Sequence, residues 1–200
     1  MRTNIVRLIS SVCAVVASVS IAAQAQSIAT SLDDSRPELA LGYNYLHSNA
    51  PAGDCGCFSL NGGNASIAVP LHRAHLSVVG DIGAAHAGAV TSNGLDLTLS
   101  TYTAGLRYTV PRMHTRLRPF GEVLVGVAHS SGSLVDGSSS TTGNSGAAFA
   151  SLIGGGVDLR ATHRFSIRLV EADYLVTTFD NGSNNHQNNL RISTGIVLRF

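Results

Sequence analysis

From Glu38 onward, apolar residues alternate with small or polar ones in runs of about ten residues, broken by turn-like sequence. Successive side chains of a strand point to opposite faces, so this period of two predicts strands with one apolar face. The runs fall at 38–48, 63–70, 74–86, 95–108, 119–130, 147–160, 164–179 and 190–200. In the first, Leu39, Leu41, Tyr43 and Tyr45 share a face opposite Ala40, Gly42 and Asn44; in the second, Ala65, Ile67 and Val69 do so. In the third, Leu76, Val78 and Ile82 oppose Ser77 and Asp81. The fourth opens with Leu95, Leu97 and Leu99 outward, then shifts phase before Tyr102, Leu106 and Tyr108. The fifth sets Val123, Val125 and Val127 against Glu122, Leu124 and Gly126, and the sixth sets Phe149, Ile153, Val157 and Leu159 against Gly154, Gly156 and Asp158. The seventh starts with Phe165, Ile167 and Leu169 outward and breaks phase at Leu169-Val170. Beyond the break Tyr174 and Val176 take the apolar face and Glu171 and Asp173 the other, so a β-bulge is expected there. The eighth is regular: Leu190, Ile192, Thr194, Ile196, Leu198 and Phe200 alternate with Arg191, Ser193, Gly195, Val197 and Arg199.

An even number of strands returns the chain to the side where it began. The links then alternate between short ones (71–73, 109–118, 161–163) and longer polar ones (49–62, 87–94, 131–146, 180–189). Short periplasmic turns and long external loops are the habit of outer-membrane barrels, and closure satisfies every strand's backbone in lipid. The expected fold is therefore all-β: an eight-stranded antiparallel up-and-down transmembrane β-barrel. The Ser/Gly/Thr-rich stretch 130–146 reads as an exposed loop, because strands of the same period continue on both sides.

Composition agrees. Charged residues are only 12% of the chain, well below an average soluble domain, while glycine reaches 21 residues. Every basic residue is Arg, and a net charge of +1 without a basic patch excludes nucleic acid as a partner. At the N-terminus Arg2 and Arg7 precede an apolar run, 8–23, that ends in Ala23-Gln24-Ala25. This is the layout of a secretory signal peptide, with cleavage expected after Ala25. Cys13 lies inside the apolar run rather than after it, which argues against a lipoprotein. The expected organisation is a signal peptide over 1–25, a short extension over 26–37 and a barrel over 38–200.

The last run, Leu190-Arg-Ile-Ser-Thr-Gly-Ile-Val-Leu-Arg-Phe200, resembles the terminal strand of bacterial outer-membrane proteins. The segments Pro119-Phe-Gly-Glu-Val-Leu-Val-Gly-Val and Gly154-Gly-Gly-Val-Asp-Leu are similar to small barrels of the OmpA/OmpX-like superfamily. The resemblance implies residence in the bacterial outer membrane among lipid and lipopolysaccharide. It also implies an assembly signal at Ile196, Leu198 and Phe200, read by the barrel-assembly machinery. Relative to full-length OmpA-type proteins, the soluble peptidoglycan-binding domain is expected to be absent.

Candidate chemistry is sparse. An eight-stranded barrel is just wide enough to be filled by its own side chains. Asp81, Arg107, Glu122, Asp158, Arg168 and Arg191 are expected inside it as a charge network, either a structural plug or the gate of a narrow pore. Aromatic residues near strand ends suggest interfacial belts, with Tyr108, Phe120, Phe165 and Phe200 on the periplasmic side and Tyr43, Tyr45, Phe149 and Tyr174 outside. Arg73, Arg112, Arg116, Arg118, Arg160 and Arg164 fall on or beside the periplasmic turns, either solvated or against anionic lipid. Cys55 and Cys57, in the first external loop, form a possible disulfide; the bridge would be strained across one residue, and without nearby His the pair is short of a zinc site. His186 lacks ligand spacing, and no metal or cofactor is expected. His129-Ser130-Ser131 has the His-x-Ser spacing of a lipid A deacylase type, but no carboxylate stands out to orient the His.

These observations support a non-enzymatic monomeric barrel with a structural or surface-interaction role through four external loops, whose ligand the residues do not name. The competing readings are a narrow gated pore, a lipid-modifying hydrolase, and a secreted soluble barrel with an apolar ligand cavity.

Overall fold

The computed structural model describes residues 36–48, 58–71, 75–88, 96–111, 116–132, 144–179 and 186–200. The expected signal peptide, most of the extension, and Cys55 and Cys57 lie outside the described residues. The strands are β1 (Glu38–Ser48), β2 (Phe58–Pro70), β3 (Leu76–Ala87), β4 (Leu97–Thr109), β5 (Leu117–Gly132), β6 (Asn144–Arg160), β7 (Phe165–Thr177) and β8 (Gln187–Arg199). Each pairs antiparallel with the next, and β1 pairs with β8, which closes the barrel.

Alternation decides which residues face out. On β5, Val123, Val125 and Val127 are about half exposed while Glu122, Leu124 and Ala128 are buried. The outward row from Leu117 to Val127 is apolar or small, and at ~3.3 Å per residue and ~40° tilt it spans ~25 Å, the height of a lipid-facing band. Ile82, Tyr102, Phe149, Ile153 and Tyr174 extend that band around the barrel. Exposed side chains of this size have no stable place in water as a continuous belt. The soluble ligand-binding alternative required the reverse arrangement, and the structure overturns it.

Two strand assignments need correction. β2 begins five residues earlier than the alternation suggested, at Phe58 rather than Gly63, because Asn61, Gly62 and Gly63 pair with β1 despite their turn-like composition. β4 has no phase shift: its register with β3 and β5 is continuous. Leu97 and Leu99 point inward instead of outward, and both are buried. The reason is that the lumen holds an apolar cluster at this strand end, while the residues turned outward there, Thr98 and Ser100, are the polar ones. Leu46, Leu60, Leu124, Leu152 and Leu175 join them in one packed cluster.

The bulge in β7 lies where the sequence placed it. Val157 pairs with Val170 but Asp158 pairs with Arg168, leaving Leu169 as the extra residue. Leu169 and Val170 are consecutive, yet both are exposed. The inserted residue restores the phase so that Arg168 and Glu171, three apart, both enter the lumen.

Candidate functional site

The periplasmic half of the lumen is a layer of charge. Arg107 on β4 donates from Nε to Glu122 Oε2 on β5 at 2.6 Å. Arg168 Nε lies 2.9 Å from Asp158 Oδ1 and its Nη1 lies 3.1 Å from Glu171 Oε2. Arg191 on β8 spans to Asp81 Oδ1 on β3 at 2.7 Å through Nη1, and its Nε donates to Asp173 Oδ2 at 2.9 Å. All of these groups are buried. Buried ions are tolerated when paired and hydrogen-bonded, and secondary contacts meet part of that demand: Asn64 Nδ2 donates to Asp81 at 3.3 Å and Ser193 Oγ to Glu171 at 3.2 Å, while Asp173 Oδ1 and Arg107 Nη2 are buried without a hydrogen bond.

The structure thus brings Asp81, Arg107, Glu122, Asp158, Arg168 and Arg191 together in one lumen, and adds residues that sequence reasoning left out of the set. Glu171 and Asp173 link the pairs. The alternation had placed them opposite Tyr174 and Val176, but their cross-lumen partners are not visible in a linear pattern. A second cluster closes the periplasmic mouth, where Arg118 Nη1 (2.8 Å) and Arg199 Nε (2.7 Å) both donate to Glu38 Oε1. Arg199 Nη1 also donates to Ser166 Oγ at 2.7 Å. Arg118, expected on or beside a periplasmic turn, solvated or against anionic lipid, is instead turned inward and buried. Its parity with Glu122 on the same strand dictates this.

Phe120 also departs from expectation. Expected in the periplasmic aromatic belt, it has the parity of Arg118 and Glu122 and is only 7% exposed. Its ring lies between two guanidiniums, with Arg107 Cζ 4.4 Å and Arg168 Cζ 4.5 Å from its centre. The ring's negative faces receive both cations, which separates like charges that would otherwise repel. Tyr108, Tyr43, Tyr45, Phe149, Tyr174 and Phe200 do face outward. On the external side Tyr43 donates to Asn61 Oδ1 at 2.6 Å, and the hydroxyls of Tyr45 and Ser59 lie 2.6 Å apart.

The carboxylates of Glu122, Glu171 and Asp173 come within 4.8 Å of one another. Each already engages an arginine, so guanidiniums occupy the role a cation would fill. The voids beside Arg191 and beside Arg168 are about 10 Å³ each, at the threshold for a single water. Above this layer lies the apolar cluster, with Ser48, Ser130, Thr177 and Asn189 buried at the same end. His129 and Ser131 lie on the outer face of β5, paired across to Ser100 and Thr98 on β4 and to Ala147 and Ser145 on β6, and none of these neighbours is an acid. His186 stands just before β8 and is exposed. Among the turn arginines, Arg73 and Arg112 lie outside the described residues, Arg116 and Arg164 are exposed, and Arg160 is half-buried.

No protein-family model matches the chain, and no curated protein sequence matches it. Solved structures do. Neisserial surface protein A superposes with a TM-score of 0.61 at 14% identity, covering 82% of this chain and 97% of that one. Ail, the attachment invasion locus protein of Yersinia pestis, gives 0.56 at 17% identity, covering 83% and 99%. The outer membrane protein OprG from Pseudomonas aeruginosa gives 0.51 at 10% identity, covering 83% and 96%. With its apolar outer band and its closed eight-stranded sheet, the chain shares the fold of these small bacterial outer-membrane barrels.

Proposed function

We propose that this protein is a sealed, non-enzymatic outer-membrane barrel that acts at the cell surface through its four external loops. One observation carries the reading: the lumen is filled by side chains along its described length, paired charges below and, above, a packed leucine and alanine cluster with Ser48, Ser130, Thr177 and Asn189 buried around it. A gated pore would need a polar path past the ion pairs, and the apolar layer opposes wetting along that path. The external segments 49–57, 88–96, 133–143 and 180–186 carry Asp54, Asp96, Asp136 and Asp180 and contain no Arg or Lys. Ail has been crystallised with the heparin analogue sucrose octasulfate. Loops without a cationic side chain are poorly suited to a polysulfate, so the partner here is a neutral or cationic surface group. Ile196, Leu198 and Phe200 serve as the assembly signal.

Planar-bilayer recording of the folded protein tests the sealed lumen. A flat baseline is expected, with discrete conductance steps only after Leu97 and Leu99 are both replaced by Ser. Steps of regular size from the unmodified protein would replace this reading with the pore.

A further inference from the structure

We infer that the charged layer of the lumen is a proton-binding site, completed by one proton held on the carboxyl cluster of Glu122, Glu171 and Asp173. The site lies in the interior and stands apart from the surface role proposed above. Five carboxyl groups line the layer: Asp81 on β3, Glu122 on β5, Asp158 on β6, and Glu171 and Asp173 on β7. Three guanidiniums meet them, those of Arg107, Arg168 and Arg191, so full ionisation leaves two negative charges in excess. From β1 and β2 the layer is faced by Asn44 and Asn64, which carry no charge. The mouth below offsets one of the two charges, because Arg118 and Arg199 share the single carboxylate of Glu38. Among the described residues the interior is then one positive charge short of balance, and one proton supplies it.

Strand register places the proton. Arg107, Glu122, Gly154, Asp173 and Arg191 form one inward row, each paired with the next from β4 to β8. A Cβ added to Gly154 would lie 2.2 Å from Asp173 Oδ1, so that oxygen occupies the space a side chain would take between Asp173 and Glu122. The carboxyl groups of Glu122, Glu171 and Asp173 come within 4.8 Å of one another. Arg191 engages Asp173 at Oδ2, which lies 2.9 Å from both Nε and Nη2, whereas Oδ1 is buried without a hydrogen bond. An ionised oxygen there lacks the donor that burial demands, and carboxylates this close resist ionising together. A proton on Oδ1 makes it a donor and leaves the Arg191 contact at Oδ2 intact. A metal ion would have to lie against the guanidiniums already on these carboxylates. A proton needs no room, and the voids beside the layer are only about 10 Å³ each.

Infrared spectroscopy of the folded barrel in detergent tests the site, since a protonated carboxyl has a C=O stretch that a carboxylate lacks. At neutral pH exposed carboxyl groups are ionised, so a band of one carboxyl per chain is expected from the lumen. It should vanish in Asp173→Asn, which removes one charge from the row and with it the need for the proton. Urea unfolding gives a second readout. The folded state holds one proton more than the unfolded chain, so stability falls as pH rises above the ordinary carboxyl range. The unfolding constant should grow by about tenfold per pH unit until the cluster releases its proton to water, and Asp173→Asn should lose that slope. Absence of the band from the unmodified protein at neutral pH overturns the inference, and so does an equal band or an equal slope in the variant. If Asp173→Asn does not fold, Glu122→Gln takes its place with the same reading. A band that appears only after chelation by EDTA also overturns it, because a metal ion would then hold the proton's place.

Discussion

Arg191 on β8 donates to Asp81 on β3 across the lumen at 2.7 Å, although two strands, β1 and β2, separate them along the barrel wall. The same guanidinium holds Asp173 on β7. One side chain therefore ties distant parts of the closed sheet together, in a place where water cannot compensate for a lost partner.

Replacing Arg191 by Met leaves Asp81 and Asp173 buried without their cation. We expect a loss of about 3–5 kcal/mol, the cost of removing one member of a buried ion pair. Urea titration followed by circular dichroism measures it, since the chain has no Trp to report by fluorescence. An unshifted midpoint would mean that the network is solvated.

Phe120 and Phe149 should separate under the same substitution. Phe120→Leu removes a ring held between Arg107 and Arg168 and is expected to cost about 2 kcal/mol or more. Phe149 faces outward, and Phe149→Leu keeps an apolar side chain in an apolar setting, so its urea midpoint should barely move. Equal effects would argue that Phe120 is in the belt after all.

Much of the fold was legible because lipid outside and charge inside enforce a clean alternation. β1 was read with its observed bounds, and the bulge at Leu169 was visible as a broken phase. The reading failed where that contrast fails. Leu97 and Leu99 were placed outward because an apolar residue was taken to mean lipid, yet this part of the lumen is apolar too. Phe120 and Arg118 were misplaced by residue type, although counting in twos from Glu122 puts both inside. Partners such as Arg191 and Asp81 lie far apart in sequence, and only barrel closure brings them together.

Close approach of strands gives a third contrast. A Cβ added to Gly154 would meet Asp173 Oδ1 at 2.2 Å and the backbone oxygen of Ala172 at 2.3 Å, whereas at Gly80 the nearest atom is Ile67 Cγ2 at 3.8 Å. Gly154→Ala should lower the yield of closed barrel, seen as a weaker folded band in unheated gel samples. Gly80→Ala should fold like the unmodified protein.

Phe200 separates assembly from stability. Its side chain is exposed and its N–H bonds to Pro37, so Phe200→Ala loses little packing. We expect normal refolding in detergent but a several-fold lower level in the membrane of cells, quantified by immunoblot. Equal cellular levels would remove the terminal residue from the assembly signal.

The first measurement to make is electrophoresis of fractionated cell envelopes, with and without boiling. The exported protein should be found in the outer-membrane fraction and should change mobility only when boiled, as a closed barrel resists detergent until heated. A soluble periplasmic protein with one mobility in both samples would contradict the membrane barrel, and with it the lipid-facing band and the sealed lumen argued from it.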